Sequence, residues 1–249
     1  MVKVELIKRL YEIGALKFGE FILKSGKRSP YYIDLRMLSS YPSLLIEIAR
    51  EFKSIIENQP EKPTVLCGVP MAGLAIANAL SLETGIPVIY IRKEPLVYRD
   101  LAKMFERSVQ EGRYQSHEIP TIKKIINVLE ELGGFKTHGI ASYVDGVLRD
   151  GDKVGIVDDL VTTAESKLEV RDIIMREASR RNVKINILGV YVVIDREQGG
   201  KEALEKEGIK LYSLATMTEV AEMLYNCGIL PKEKYETIIN YIVSEKLKS

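Results

Sequence analysis

The sequence predicts an α/β fold in which a mainly parallel sheet is covered by helices on both faces. Short apolar runs such as Thr64–Val69, Pro87–Ile91 and Lys153–Val157 alternate with amphipathic helical patterns. This alternation is typical of parallel strands joined by right-handed crossovers. Because the runs are apolar along nearly their whole length, we expect both faces of the sheet to be buried. Further strands are predicted at Ile185–Ile194 and Ile209–Ser213, and helices at residues 2–16, Ser43–Ile56, Gly73–Leu82 and Leu168–Arg181.

The composition predicts one globular domain spanning residues 1–249. Hydrophobic residues make up 46% and charged residues 29% of the 249 positions, which suits a protein with a substantial core. The formal net charge of +1 provides no general field that would attract nucleic acid. The two cysteines, Cys67 and Cys227, are far apart in sequence, which argues against a disulfide framework or a zinc site. No apolar stretch is long enough to predict a membrane span, so we expect a cytoplasmic protein.

Residues 95–134 interrupt the alternation of strands and helices. Two amphipathic patterns, Arg99–Glu111 and Thr121–Leu132, predict a pair of helices, and Gly133–Gly134 marks the end of the segment. We expect the apolar face of each helix to be buried against the other helix, the domain or a second subunit. We interpret the segment as an insertion between two strands, with its two ends close together. The apolar positions are Leu101, Met104 and Phe105 in the first helix and Ile122, Ile125, Ile126 and Leu129 in the second.

The most informative segment is Gly151–Lys167, which reads GDKVGIVDDLVTTAESK. A buried strand leads to two adjacent acids, Asp158 and Asp159, and a helix begins shortly afterwards. Ligands of open α/β sheets bind beyond the carboxyl ends of strands, and a helix N-terminus offers free N–H groups to phosphate. Acids that accept hydrogen bonds from vicinal hydroxyls, beside such a phosphate cradle, predict a site for ribose 5-phosphate. The alternative is a strand end whose polar side chains only cap the helix. The hydroxyl side chains of the segment are Thr162, Thr163 and Ser166.

This segment resembles the phosphoribosyl pyrophosphate motif of type I phosphoribosyltransferases, and other stretches resemble the orotate branch of that family. The resemblance implies a parallel sheet flanked by helices, with a small hood and the inserted helical segment. The matching stretches follow the family's order: an N-terminal signature at Gly14–Arg36, a pyrophosphate loop at Leu66–Leu80, the two halves of a basic catalytic loop at Ile91–Glu94 and Lys136–Gly139, and a base-contacting strand end at Val193–Gly200.

On the base side of the site, the resemblance implies roles for four residues. Lys24 is expected to bridge the base and the pyrophosphate, and Tyr31 and Tyr32 are expected to flank the base. Arg196 is expected to contact the edge of orotate, because the planar guanidinium fork matches carboxylate and carbonyl oxygens. Each of these side chains also has an ordinary alternative, as a surface turn residue or a core aromatic.

On the other side, the resemblance implies that basic residues hold the leaving pyrophosphate. Asp158 and Asp159 are expected to hold the ribose hydroxyls, and the TTAES loop is expected to bind the 5-phosphate. The resemblance also implies a Mg²⁺ ion that is bound mainly through the pyrophosphate and ribose of the substrate, without a dedicated set of protein ligands. The basic residues are Arg92, Lys93, Lys136 and His138, and the loop residues are Thr162, Thr163, Ala164, Glu165 and Ser166.

Two features depart from the family pattern. Ala164 stands where the phosphate loop of the family usually has glycine, and Glu165 places a negative charge near the phosphate. The basic loop is also split, because the insertion separates Lys93 from Lys136, whose counterparts in the family are close in sequence. Both departures put the affinity for the phosphorylated substrate, and the assembly of the basic loop, in question.

The resemblance implies an enzyme that transfers the 5-phosphoribosyl group from phosphoribosyl pyrophosphate to orotate, giving orotidine 5′-monophosphate and pyrophosphate. It also implies a homodimer in which the basic loop of one subunit reaches the site of the other. Two alternatives stay open: a phosphoribosyltransferase for another base, and a phosphoribosyl pyrophosphate-binding regulator or inactive paralogue. Ala164, Glu165 and the split loop favour the regulator.

Overall fold

The computed structural model describes residues 2–23, 26–91, 97–134 and 144–246. They fall into two compact units, of which the second contains residues 97–134 and the first contains all the others. In chain order, the strands are β1 (Leu16–Ile22), β2 (Arg28–Ile33), β3 (Val65–Gly68), β4 (Val88–Ile91), β5 (Val144–Asp145), β6 (Asp152–Val161), β7 (Ile185–Asp195) and β8 (Lys210–Thr216). The helices are α1 (Val2–Glu12), α2 (Pro42–Glu57), α3 (Ala72–Thr84), α4 (Val97–Gln110), α5 (Ile119–Gly134), α6 (Glu165–Arg180), α7 (Gly200–Lys206), α8 (Met217–Asn226) and α9 (Lys232–Lys246), with a 3₁₀ helix at Leu35–Ser40.

A sheet in the order β5-β4-β3-β6-β7-β8 forms the centre of the first unit. Its strands run parallel except for the short β5, which pairs antiparallel with β4. The two longest strands, β6 and β7, are buried over most of their length, as expected for strands covered on both faces. The prediction of an α/β fold with a mainly parallel sheet flanked by helices is therefore confirmed.

The strands and helices predicted for the first unit all occur, with shifted ends. β6 continues to Val161 instead of ending at Val157, so Asp158 and Asp159 lie within the strand near its carboxyl end. α6 begins at Glu165, directly after the TTA part of the loop, and not at Leu168 as predicted. The apolar pattern missed α7, α8 and α9. α7 has seven residues and α8 has ten, which is too short for a clear periodic signal, whereas α9 spans 15 residues that are mostly polar.

β1 and β2 pair antiparallel as a separate two-stranded sheet. α9 lies against this hairpin, where the rings of Tyr31 and Tyr241 meet edge to face with centroids 5.8 Å apart. Nζ of Lys27, which lies next to the hairpin turn, is 3.2 Å from Oε2 of Glu245 in α9. The hairpin corresponds to the small hood that the resemblance implied, and the C-terminal helix holds it in place.

The core of the first unit fixes the carboxyl edge of the sheet. Side chains of α1, α2, α3, α8 and α9 pack on one face of the strands in a continuous hydrophobic cluster. At its centre, the ring of Tyr191 in β7 stacks on Tyr212 and meets Phe52 of α2 edge to face. On the other face, α6 buries Val170 and Ile174. The strand ends that carry polar residues are therefore held on a rigid support.

The second unit is a helical hairpin in which α4 and α5 pack against each other. The two helices predicted in the insertion are thus confirmed. Met104 is 55% exposed and Ile125 is 39% exposed, so the pair does not by itself bury both predicted apolar faces. A two-helix pair covers only the sides on which the helices meet. Residues 92–96 and 135–143, which join this unit to the rest of the chain, lie outside the described residues, so the expectation that the two ends of the insertion lie close together stays a prediction.

Candidate active site

The carboxyl ends of β3 and β6 mark the point at which the sheet reverses its winding. From β3 the chain passes through α3 to β4 on one side, whereas from β6 it passes through α6 to β7 on the other. Ligands of open α/β sheets bind in the crevice that such a switch point creates. The acid pair Asp158–Asp159 and the start of the TTAES loop lie at this edge.

Helix α3 approaches the acid-bearing strand very closely. A Cβ atom built on Gly73 would lie 2.4 Å from the carbonyl oxygen of Val157 and 3.0 Å from Oδ1 of Asp158. Glycine is required here because any side chain would collide with the strand backbone. The stretch that resembles a pyrophosphate loop, Leu66–Leu80, therefore packs directly on the acid pair.

The two acids have different surroundings. Asp158 is buried, its Oδ1 accepts a hydrogen bond of 2.8 Å from the N–H of Asp159, and its Oδ2 lies 2.7 Å from Nζ of Lys167. Asp159 is half-buried and accepts a hydrogen bond from the N–H of Leu160. Burial and the neighbouring charge of Asp158 raise the pKa of Asp159 to about 7. The pair therefore favours ligands that donate hydrogen bonds or carry positive charge.

The TTAES loop leads directly into the N-terminus of α6. Ala164, the residue before the helix, has a left-handed backbone with a φ of 66°. Glycine adopts this conformation most easily, which is a physical reason for the glycine that the family usually has there. Thr162 is half-buried, whereas Thr163, Glu165 and Ser166 are exposed. The first N–H groups of a helix have no partner within it, so this loop can offer them to a phosphate.

Arg196 lies just beyond β7 in a turn that fixes its backbone. Its N–H donates to the carbonyl oxygen of Val161 at 3.0 Å, which ties the turn to the end of β6. Oδ1 of Asp195 accepts a hydrogen bond from the N–H of Glu197, whose φ is 57°. Nζ of Lys246 in α9 lies 2.6 Å from the carboxylate of Glu197. The turn that presents Arg196 is therefore held from two sides.

Tyr31 in β2 meets Arg196 beside the hairpin. Cζ of Arg196 lies 5.1 Å from the centroid of the Tyr31 ring. Burial raises the pKa of Tyr31, although the charge of Arg196 acts against this effect. Within the described residues, the buried hydroxyl of Tyr31 and the buried Nε and Nη2 atoms of Arg196 make no hydrogen bond of normal geometry, although Arg196 is close enough to act on the Tyr31 hydroxyl and lower its pKa. Buried polar atoms without partners are costly, so these atoms indicate a place for a polar ligand.

Tyr32 has different neighbours from Tyr31 because successive side chains of a strand point to opposite sides. Its hydroxyl accepts a hydrogen bond of 3.5 Å from Nη2 of Arg36. Arg36 pairs with Asp34, which raises the pKa of the guanidinium, and the charge of Asp159 adds to this effect. The structure therefore brings Tyr31 to Arg196 and Tyr32 to Arg36, so the two tyrosines do not share one environment.

Some of the predicted site residues lie outside the described part of the chain, and their roles stay predictions. β4 ends at Ile91 on the carboxyl edge of the sheet, where the first half of the predicted basic loop begins. The undescribed site residues are Lys24, Arg92, Lys93, Lys136 and His138.

Within the described ranges, no three His, Cys, Asp or Glu side chains group as a metal site, and no helix is long and apolar enough to cross a membrane.

Comparison with known proteins identifies the family. Residues 35–212 match the phosphoribosyl transferase domain. The chain is 34% identical over 221 residues to the orotate phosphoribosyltransferase of Pyrococcus furiosus, covering 89% of this chain and 96% of that protein. The chain belongs to the orotate phosphoribosyltransferase family. The orotate phosphoribosyltransferase of Aeropyrum pernix has a similar structure, with a TM-score of 0.58 at 26% identity over 91% of this chain and 99% of that one. Leishmania donovani UMP synthase gives a TM-score of 0.71 at 26% identity over 97% of this chain, which spans 42% of that protein.

Membership of the orotate phosphoribosyltransferase family confirms the resemblance drawn from the ordered motifs, but motif reasoning missed two charged residues. Lys167 follows the TTAES loop directly and pairs with Asp158. A lysine in the first turn of a helix lies at the positive end of the helix, which is an unfavourable place unless an acid is nearby. The position of Lys167 could therefore have indicated its pairing with an acid. Arg36 ends the N-terminal signature and received no role, because no spacing rule links it to Asp159.

Proposed function

We propose that the chain transfers the 5-phosphoribosyl group from phosphoribosyl pyrophosphate to orotate, giving orotidine 5′-monophosphate and pyrophosphate in pyrimidine biosynthesis. The observation that carries the proposal is the arrangement along one edge of the sheet. The acid pair and the TTAES loop follow β6, and Arg196 is bound through its N–H to Val161 at the end of that same strand. The acids suit ribose hydroxyls, the loop suits a phosphate, and the guanidinium suits the carboxylate of orotate.

On the base side, Arg196 and Tyr31 would receive orotate. Their buried polar atoms without partners in the described chain supply donors at the place where a carboxylated base needs them. Tyr32 would flank the base from its own side of the strand, and Lys24 would bridge base and pyrophosphate. Because orotate carries its own negative charge, little general-base catalysis would be needed to prepare its ring nitrogen.

In the reaction, the ring nitrogen attacks the anomeric carbon while the bond to pyrophosphate breaks. Positive charge develops on the ribose, where Asp158 and Asp159 would help to offset it, and negative charge develops on the leaving group. Lys136 and His138, with Arg92 and Lys93 in support, would stabilise that leaving group.

A divalent cation and a closing loop complete the proposal. The half-buried Asp159, with its raised pKa, suits a substrate that arrives with a cation. The substrate's pyrophosphate and ribose, rather than a dedicated set of protein ligands, would hold a Mg²⁺ ion, which would supply positive charge next to the leaving group. A basic loop that closes over the site would exclude water from the reactive ribosyl carbon. We also propose a cytoplasmic homodimer in which each basic loop reaches the partner's site, with residues 1–249 forming one phosphoribosyltransferase domain.

The test is a base screen. Purified protein, Mg²⁺ and phosphoribosyl pyrophosphate are mixed in turn with orotate, uracil, adenine and hypoxanthine, and loss of each base is followed by absorbance, with and without a chelator. We expect consumption of orotate alone, abolished by the chelator. Faster consumption of another base would show that this base, and not orotate, is the substrate. Binding of phosphoribosyl pyrophosphate without conversion of any base would indicate that the protein is a regulator and not an enzyme.

A further inference from the structure

A buried lysine lies between the two halves of the proposed substrate site. The side chain of Lys167, in the first turn of α6, is only 6% exposed. Its Nζ lies 2.7 Å from Oδ2 of Asp158 and 3.2 Å from Oγ of Ser166. Lysine is almost never buried unless it is paired, and the first turn of a helix is its positive end. Helix stability therefore does not account for Lys167, whereas its contact with Asp158 does.

The contacts of Lys167 give the two acids separate roles. Both oxygens of Asp158 are engaged inside the protein, Oδ2 by Lys167 and Oδ1 by the N–H of Asp159. Asp159 is the more exposed of the two acids. Asp158 thus orients the backbone of Asp159, and Lys167 fixes Asp158. Without the ammonium group, the carboxylate of Asp158 would be buried without its counter-charge, a strongly unfavourable state that forces it to take up a proton or move.

The same ammonium group sets the direction of the Ser166 hydroxyl. An ammonium has donors only, so Oγ of Ser166 accepts the hydrogen bond from Lys167. The O–H of Ser166 is then free to donate to another acceptor, and this side chain is exposed at the N-terminus of α6. A phosphate oxygen bound at that helix end is such an acceptor. The positive charge of Lys167 also offsets the negative charge of Glu165, which is unfavourable for binding a phosphate at this loop.

We propose that Lys167 is a positioning residue for phosphoribosyl pyrophosphate, holding Asp158 at the ribose end of the site and directing the hydroxyl of Ser166 towards the 5-phosphate. The inference rests on the proposed function. It places the effect of Lys167 on the binding of this one substrate, because the side-chain contacts of Lys167 with described residues are to Asp158 and Ser166, on the ribose and phosphate side of the site.

The test compares three changes at Lys167 with a matched control. Lys167→Met removes the charge at similar length, Lys167→Gln keeps a donor without the charge, and Lys167→Arg keeps the charge. The control is Lys153→Met, which removes a lysine paired with Glu61 at the opposite end of the same strand, where the lysine side chain is 39% exposed. Each variant is assayed for KM of both substrates and for kcat, and its affinity for phosphoribosyl pyrophosphate with Mg²⁺ is measured by calorimetry.

We expect Lys167→Met and Lys167→Gln to raise the KM and Kd for phosphoribosyl pyrophosphate roughly 10- to 100-fold, as for loss of a charged hydrogen-bond partner. The KM for orotate should stay within about threefold, Lys167→Arg should recover most of the affinity, and Lys153→Met should match wild type. A purely structural role would lower thermal stability while leaving these constants unchanged, and that result overturns the proposal. If Lys167→Met does not fold, Lys167→Gln decides alone by the same criterion.

A second measurement asks whether Lys167 acts through Ser166. Ser166→Ala should weaken phosphoribosyl pyrophosphate binding in the wild-type background but have much less effect in the Lys167→Met background, because methionine has no donor to direct the hydroxyl. Equal losses of affinity in both backgrounds would show that Lys167 does not act through Ser166. Wild-type protein that binds no phosphoribosyl pyrophosphate would instead refute the proposed function itself, so the two failures are distinguishable.

Discussion

The close approach of α3 to the acid pair makes Gly73→Ala a sharp test of the site. The new methyl group would lie 2.4 Å from the carbonyl oxygen of Val157 and 2.7 Å from Cα of Asp158. Both opposing atoms belong to the backbone of the buried strand β6, so neither can rotate away. Overpacking of a core costs about 1–3 kcal/mol, and rigid neighbours favour the upper end of that range. Alanine returns up to about 1 kcal/mol through its better helix propensity.

The expected net loss of unfolding free energy is about 2 kcal/mol, which corresponds to a fall in Tm of roughly 4–8 °C for a domain of this size. Because relief of the clash requires α3 or Asp158 to move, the KM for phosphoribosyl pyrophosphate should rise along with the loss of stability. The matched control is Gly19→Ala in β1, where the added methyl would meet only the Phe21 ring at 3.8 Å. Calorimetric scanning and steady-state kinetics provide both readouts. A Gly73→Ala protein with the Tm and KM of wild type would refute the packing argument.

Four further substitutions test three separate parts of the site. Lys136→Ala and His138→Ala should each raise the barrier by about 2–4 kcal/mol while leaving orotate affinity nearly unchanged, because their contacts strengthen as pyrophosphate leaves; wild-type kcat in both variants would remove the basic loop from the mechanism. Arg196→Ala should weaken orotate binding and leave phosphoribosyl pyrophosphate affinity nearly intact, and equal calorimetric losses for both ligands would contradict its place on the base side. Asp159→Asn should stabilise the protein above pH 7, since the pKa of Asp159 is raised in the folded state and its ionisation therefore opposes folding. That gain in stability should fade as the pH falls towards 4. Denaturant unfolding that shows the same gain at pH 4 and above pH 7 would contradict a raised pKa for Asp159.

The sheet could be predicted from sequence because its signals are local. The apolar runs at Thr64–Val69 and Ile185–Ile194 reflect burial on both faces, and they needed no knowledge of other segments. The start of α6 was less predictable, because Ala164, the residue before it, has a left-handed backbone that is usual for glycine. The family resemblance provided the order of the motifs. The acid pair was predicted twice, from its place at the end of a buried strand and from the family motif.

The contacts across the site could not be predicted because they join residues distant in sequence. Arg196 meets Tyr31 only because β7 and the β1–β2 hairpin are brought together, with α9 contacting both the hairpin and the turn after β7. The pairing of Lys167 with Asp158 depends on how α6 turns back along β6. The different surroundings of Tyr31 and Tyr32 follow from strand alternation, which is readable from sequence only once β2 is known.

Product analysis of one reaction tests directly whether the protein forms orotidine 5′-monophosphate. Wild-type protein is incubated with orotate, phosphoribosyl pyrophosphate and Mg²⁺, and the mixture is separated by chromatography with mass detection, beside the Asp159→Asn variant. We expect one orotidine 5′-monophosphate and one pyrophosphate for each orotate consumed, with kcat/KM reduced at least about tenfold in the variant by loss of a charged ribose contact. Folded wild-type protein that binds phosphoribosyl pyrophosphate but forms no orotidine 5′-monophosphate would contradict it.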